Sequence, residues 1–483
     1  MIYRAYRDWG FRSHIMIDFR YTGVIMKHRV TRIACTLTAA SLVLLACGNS
    51  GDDTDKKPTD SSPSQSTIPV GGDRNKFVSI TGVPGVSDKE IKVASISIQT
   101  NNPLGTNVGG AYNEGVEAYL EWRNDEGGIY GRQLVLDEKL DDALVKNKDQ
   151  ATAVCAGKKT FATFVAPLLF TGAETLNNCG MPTFGWAIHA EFAGKKYLFG
   201  HLPPTCRECV TPILPYIAKT LGVTKVGVLG YGTSENSKGC AATQKASFEK
   251  FAASTGGIEV VYFDNSLPFG LPSGIAPQVS KLKEKGAQFV STCIDLNGMK
   301  KLGDELKKQG MDDVVLYHPN TYNAAFVKAN AAIFEGDIVV PSFVPFEAKI
   351  ESELQAKFFE YTDKTGVKRE ELTMIGWLNA NLLFEGLLAA GPEFDQTAVV
   401  DAIRAMPKYT ADGLIPPVEW GRQLDGPTVA DPVTSGPKET CFAAVQVKDG
   451  AFVQWSGESG KPWLCWPNPQ DTYAEPTAES FSN

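Results

Sequence analysis

Histidine and concentrated positive charge are what this chain has least of. Its 483 residues include five histidines. No His-x-x-x-His pair, Gly-x-Ser-x-Gly elbow or Walker loop accompanies them. His14 and His28 lie near the N-terminus, which leaves His189, His201 and His318 for the body. That inventory argues against an exported enzyme of the common hydrolytic or metal-dependent kinds, and neither a metal nor a cofactor is expected. The net charge is −8, from 47 Lys+Arg against 55 Asp+Glu. No dense Lys/Arg tract appears, so a phosphate-coating surface, and with it nucleic-acid binding, is excluded.

What is present is an ordinary globular composition, 43% hydrophobic with 46 Gly and 28 Pro. A chain of this length buries roughly three quarters of its unfolded surface, so its core needs no metal or disulfide to exist. Ten cysteines are therefore the odd item. They are too few for a disulfide miniprotein and more than a cytosolic chain of this size usually carries.

The N-terminus accounts for two of them. Residues 26–47 read MKHRVTRIACTLTAASLVLLAC. Lys27, His28, Arg29 and Arg32 form a basic start. Residues 33–46 are mostly apolar and uncharged, too short for a transmembrane helix of about 20 residues but fitted to the apolar part of a signal peptide. The stretch ends in Leu44-Leu45-Ala46-Cys47, which resembles the lipobox of bacterial lipoproteins. That resemblance implies acylation of Cys47 and cleavage before it, leaving a lipid anchor in the membrane. Residues 1–25 fit no part of a signal peptide, and Met26 is the expected initiator. Residues 48–76 are rich in Ser, Asp, Thr, Gly and Pro and are expected to be a disordered tether. Residues 1–46 hold seven Lys/Arg and two Asp/Glu, so the exported chain would carry about −13.

Cys35 leaves with the signal peptide. The remaining eight, Cys155, Cys179, Cys206, Cys209, Cys240, Cys293, Cys441 and Cys465, form an even set in an exported chain, which implies disulfides. Eight cysteines allow about 105 connectivities, and sequence alone does not choose among them. Pairing nearest neighbours favours 155–179, 206–209, 240–293 and 441–465. Cys206-Arg-Glu-Cys209 has the spacing of a redox centre, with Thr205 and Glu208 as a capping box. Pro212 and Pro215 would disturb a helix begun there, and a structural staple is the preferred reading over an exported thiol-disulfide redox protein.

From residue 91 the pattern alternates. IKVASISI (91–98), ATFVAPLL and MPTFGW read as strands, and helical spacing separates them, most clearly in Tyr112, Val116, Tyr119 and Leu120. Gly127-Gly128 ends that first helix. The alternation restarts with TKVGVLGY (224–231), IEVVYFD (258–264), AQFVSTCID (287–295) and VVLYHPN (314–320). Helices dominate residues 349–406, and residues 413–470 read as strands and turns. The expected fold class is α/β, with two Rossmann-like lobes built on parallel sheets. Ligands of such sheets sit beyond the carboxyl ends of the strands, which selects the residues just after each strand.

The stretch GGAYNEGVEAYLEWRNDEGGIYGRQLVLDEKLDD resembles the first helix and turn of type I periplasmic binding proteins, those of branched-chain amino acid ABC transporters above all. Gly115, Ala118, Asn124, Gly127-Gly128, Gly131-Arg132 and Asp141-Asp142 carry the likeness, and the order of elements agrees over about residues 88–420. The resemblance implies three crossovers between the lobes, near 201–205, 340–346 and 410–417, with hinge closure on a ligand. It also implies lobe I at 77–203 plus 342–413, lobe II at 204–341 plus 414–470, and a tail at 471–483.

Carried over position by position, the resemblance places Phe170, Thr171, Trp186 and His189 at the carboxylate side of an amino-acid ligand, with Asn102 after the first strand. The plainer reading of Trp186 is a core aromatic. Tyr231 and Tyr322 would line an aromatic pocket with Tyr317. The acid that holds the ligand ammonium in the second lobe is replaced by Asn320. Either Asp295 takes its role or the ligand lacks an ammonium group. Asp295 also has a plainer reading, as the N-cap of a helix starting near Asn297. Taken together, the resemblance implies a monomeric, lipid-anchored, extracytoplasmic receptor that passes a small organic ligand to an ABC transporter permease. A sensing receptor for a signalling partner is the alternative.

Overall fold

The computed structural model describes residues 73–102, 107–204, 209–319, 321–425, 439–467 and 472–482. The expected leader, Cys47, the tether up to residue 72, Cys206 and Asn320 lie outside the described residues. Asp73 onward is not tether. Arg74 pairs with Glu126 at 3.1 Å, and its carbonyl accepts from the amide of Tyr130 at 2.6 Å. An arginine reaching a carboxylate at a helix end holds this arm down.

The first half runs β1 (Glu90–Ser97), α1 (Val108–Asp125), β2 (Gln133–Asp141), α2 (Asn147–Gly157), β3 (Ala162–Ala166), α3 (Ala173–Asn178), β4 (Thr183–Gly185) and β5 (Leu198–Gly200). These strands make one parallel sheet in the order β2-β1-β3-β4-β5. The second block runs α4 (Ile213–Thr220), β6 (Lys225–Tyr231), α5 (Glu235–Phe251), β7 (Glu259–Leu267), α6 (Ala276–Lys285), β8 (Phe289–Cys293), α7 (Leu296–Lys308), β9 (Val315–His318), α8 (Ala324–Ala329), α9 (Ala331–Phe334) and β10 (Ile338–Val339). Helices α10 (Glu353–Thr365), α11 (Glu371–Ala390) and α12 (Gln396–Ala405) follow. The chain then makes β11 (Glu439–Phe442), β12 (Val445–Lys448), β13 (Ala451–Gln454), β14 (Trp463–Pro467) and β15 (Thr477–Glu479).

The second sheet has the order β13-β12-β10-β9-β8-β6-β7. Its members β10, β9, β8, β6 and β7 are parallel, and the hairpin β12–β13 adds an antiparallel edge. A third sheet, β11-β14-β15, is antiparallel. Residues 471–483 are therefore more than a tail: within them β15 pairs with β14. The local pattern misses β5 and β10, of 3 and 2 residues, because so short a run has no period to read.

Three crossovers join the sheets, and the second touches each of the other two. His201 on the first meets the Ser342 hydroxyl on the second at 2.7 Å. The amide of Val344 on the second donates to Leu414 on the third at 2.9 Å.

Local chemistry explains the element ends. Gly128 has φ 71°, and a Cβ there would lie 2.0 Å from the carbonyl oxygen of Arg132, so the turn after α1 requires glycine. Helix α5 starts at Glu235 because Ser234 caps it by accepting from the Ser237 amide. Helix α4 starts at Ile213 with Pro212 as its cap residue and Pro215 in its first turn, where a missing N–H costs nothing.

Helix α11 is long and apolar enough to cross a membrane, yet 78% of its most apolar window is buried in protein. It packs along α1, where Trp122 stacks on Trp377 at 5.4 Å and Tyr119 meets Trp377 edge-on at 5.0 Å. It is a core helix. Disulfides join Cys155–Cys179, Cys240–Cys293 and Cys441–Cys465, and Cys209 is disulfide-bonded too. Glu439 lies beside Cys441 and Cys465, but the disulfide removes both thiolates as metal ligands.

Candidate functional site

The carboxyl edge of the first sheet is organised by the Asp141-Asp142 pair at the end of β2. Asp141 accepts from the amides of Gln99 (2.9 Å), Thr100 (3.2 Å) and Ala143 (2.9 Å), and from the Thr100 hydroxyl. Burial opposes its charge, but these donors outweigh burial and hold the carboxyl below its ordinary range. Asp142 accepts from the Asn147 side chain at 2.9 Å, and Asn147 in turn accepts from the Gly172 amide at 2.7 Å. Two acids thus fix the loops after β1 and β3, the loops that carry Asn102, Phe170 and Thr171.

On that edge Asn102 is half-buried and Phe170 is 55% exposed. The Thr171 hydroxyl accepts from the Ala173 amide at 3.0 Å. Trp186 is buried and belongs to the main hydrophobic core. His189 is buried, with Nε2 at 3.3 Å from the carbonyl of Pro167, so it ties the loop after β4 to the loop after β3.

On the second sheet Tyr231 ends β6 and Asp295 follows β8, its neighbour. The structure brings them into contact: the Tyr231 hydroxyl donates to Asp295 Oδ1. The other carboxylate oxygen caps α7, accepting from Asn297 at 3.0 Å and Gly298 at 3.3 Å. Both oxygens of Asp295 are engaged by protein donors. Burial first, and then the Asp295 charge, raise the Tyr231 phenol above its ordinary range.

Tyr322 follows β9. It is buried, and its hydroxyl donates to Glu347 Oε2 at 2.5 Å while accepting from the Phe346 amide at 2.6 Å. Its backbone carbonyl accepts from the Glu371 amide at 3.1 Å. Tyr322 therefore connects the second sheet to the second crossover and to the N-terminus of α11. Glu371 itself is 6% exposed, and its Oε2 has no hydrogen-bond partner among the described residues. Burial pushes its carboxyl up to about 8. Glu347 is raised by burial as well.

Sequence reasoning missed both of these acids. The available signal was the Glu370-Glu371 pair opening the most apolar helix, where a buried acid is exceptional. His318, by contrast, is absorbed in the core: its Nε2 lies 2.8 Å from Asp337 and its ring meets Phe334 edge-on.

Two α/β units with parallel cores, three crossovers and ordered loops at the carboxyl edges define a two-lobed binding protein. A family model described as periplasmic binding protein matches residues 90–451, and the chain belongs to that family, in its type I form. Among solved structures it resembles a fatty acid ABC transporter substrate-binding protein from Thermomonospora curvata (17% identity, 84% of this chain and 95% of that one, TM-score 0.60). A branched-chain amino acid ABC transporter protein from Thermus thermophilus with bound valine is similar too (17%, 82% and 97%, 0.58). So is a solute-binding protein of an ABC transporter from R. palustris in complex with benzoate (16%, 82% and 98%, 0.55). No curated protein matches the sequence. The family consists of substrate-binding transport proteins, and membership implies an extracytoplasmic location.

Proposed function

We propose that the chain is a lipid-anchored receptor of an ABC importer that captures a small organic ligand between two lobes and closes on it by hinge bending. The observation that carries this reading is the pair of ordered carboxyl edges, Asn102 to His189 on one sheet and Tyr231 to Tyr322 on the other, linked by three crossovers of which the second touches the other two. The lobes are proposed at 77–203 plus 342–413 and 204–341 plus 414–470, with residues 477–479 added to the latter. Phe170, Thr171, Trp186, His189, Tyr231, Asp295 and Tyr322 are the proposed lining, with Asn102 and Asn320. Cys47 is the proposed lipid site, the receptor acts as a monomer, and a permease is its partner.

Closure follows from differential affinity: a ligand bridging both lobes binds the closed form better and shifts the population towards it. Relatives named for valine, benzoate and fatty acids widen the range of ligands to test. A thermal-shift panel of amino acids, amides, aromatic acids, fatty acids and polyamines should find a stabilising compound, because anything binding only the native state raises Tm. Turnover of a panel member with no stabilisation by any would sink the receptor reading.

A further inference from the structure

We propose that the C-terminal segment, residues 472–482, is a strap that braces the third crossover and limits how far the two lobes swing. The proposal rests on the receptor reading above and adds a restraint to its hinge. The segment lies beyond residues 90–451, the part that the family model matches.

The third crossover contains a sharp turn. Ala411, Asp412 and Gly413 have φ of 46°, 54° and 84°. Two of these three left-handed residues are not glycine, so their surroundings must hold them there. On one side the turn is tied to the first lobe. Asp412 Oδ2 accepts from the Ser352 hydroxyl at 2.9 Å and the Leu354 amide at 3.1 Å, at the start of α10. Helix α10 is fixed to α1 by the Tyr361 hydroxyl, which donates to Asp125 at 3.0 Å. On the other side lies the C-terminal segment. A Cβ on Gly413 would lie 2.7 Å from both the amide nitrogen and the Cα of Ser482. The two backbones are in contact, and the turn has no room to shift towards the segment.

The segment is rooted on the second lobe. Strand β15 pairs with β14, placing Thr477 opposite Cys465, and the Cys441–Cys465 disulfide joins β14 to β11. Phe442, Leu464 and Trp466 of those strands share a core cluster with Ile217 of α4 and Val226 of β6. Before β15, Trp466 Nε1 donates to the Ala474 carbonyl at 2.8 Å, and Glu475 pairs with Lys219 on α4. After β15, the Phe481 ring packs on Trp463 with centres 6.4 Å apart, which seats Ser482 against the turn. A few residues at a crossover absorb the φ/ψ change when lobes rotate. Here that turn is gripped by the first lobe and pressed by a backbone rooted on the second, so its range is restricted.

The test needs no ligand. Dyes are attached to azide-bearing residues placed at Lys159 on the first lobe and Lys308 on the second, whose side chains are 71% and 74% exposed. Single-molecule energy transfer then reads the spread of lobe separations in the full chain, in a chain ending at Ser480 and in Phe481→Ala. Ending at Ser480 removes the tip and keeps the β14–β15 pairing. The spread should broaden in both variants. Gly413→Ala supplies a second readout, because its left-handed strain is common to both backgrounds and only its clash with Ser482 depends on the tip. It should lower Tm by about 2–4 °C more in the full chain than in the chain ending at Ser480. Equal spreads in all three chains, or an equal Tm loss in both backgrounds, would overturn the strap. Spreads that are equal and broad would do so while leaving hinge bending intact. The receptor reading stands or falls separately, on the ligand panel.

Discussion

Replacing Asp295 with alanine separates a structural acid from a ligand-binding one. In the folded chain Asp295 caps α7 through two amides, at 3.0 and 3.3 Å, and accepts the Tyr231 hydroxyl. Loss of the cap costs about 1 kcal/mol. The Tyr231 ring is 2% exposed, so its hydroxyl would lose a charged acceptor where water does not easily replace it, costing about 1.5–3 kcal/mol. Asp295→Ala should therefore destabilise the chain by roughly 2–4 kcal/mol in the absence of any ligand. Asp295→Asn caps about as well and keeps a neutral acceptor, so about 1 kcal/mol or less is expected. Urea unfolding of wild type, both variants, Tyr231→Phe and the double mutant Asp295→Ala/Tyr231→Phe gives the coupling directly, expected at about 1–2 kcal/mol. An alanine variant within about 0.5 kcal/mol of wild type, or an asparagine variant as unstable as alanine, would refute the structural role. Asp295 would then be held in place for a ligand alone.

Two further outcomes follow from the geometry. A Cβ on Gly115 would lie 1.9 Å from the carbonyl oxygen of Thr373 on α11, so Gly115→Ala should force α1 off α11 and cost about 2–3 kcal/mol. Helix propensity alone favours alanine here by up to about 1 kcal/mol; a Tm that rises would show that the helices are not in close contact. His201 is buried on the first crossover, Nδ1 lacks a partner among the described residues, and burial pushes its pKa down to about 3. The folded value lies below the unfolded one, so stability is whole above about pH 6.5 and falls by about 1.4 kcal/mol per unit as pH drops from there towards 3. His201→Asn should remove that share of the acid sensitivity, read as Tm between pH 7 and 5, and an unchanged slope would exclude His201 as its source.

Much of the fold is written in short stretches. Strand and helix alternation, the Gly127-Gly128 stop and the capping role of Asp295 depend on residues close in sequence, where periodicity and local hydrogen bonding act. The resemblance of residues 109–142 carried the family for the same reason. The short strands β5 and β10 escaped because two or three residues hold no period, and β15 escaped because its pairing partner, not its composition, makes it a strand. The engagement of Asp295 by Tyr231 needs β6 beside β8, although the two residues lie far apart in the chain.

The scarcity of histidine argued against common enzymes, and the expected replacement of a second-lobe acid by Asn320 raised a doubt about the ligand. Sequence by itself determined the architecture, the exported character expected of the leader and the residues at the strand ends. Only tertiary structure decided which acid is unsatisfied. Glu371 is an ordinary first-turn glutamate in sequence, where an acid favours the helix dipole. Its carboxyl becomes buried, with Oε2 lacking a partner among the described residues, only because α11 packs along α1 and meets the loop after β9. Burial and missing partners are properties of what surrounds a residue, and those surroundings are brought together from distant parts of the chain.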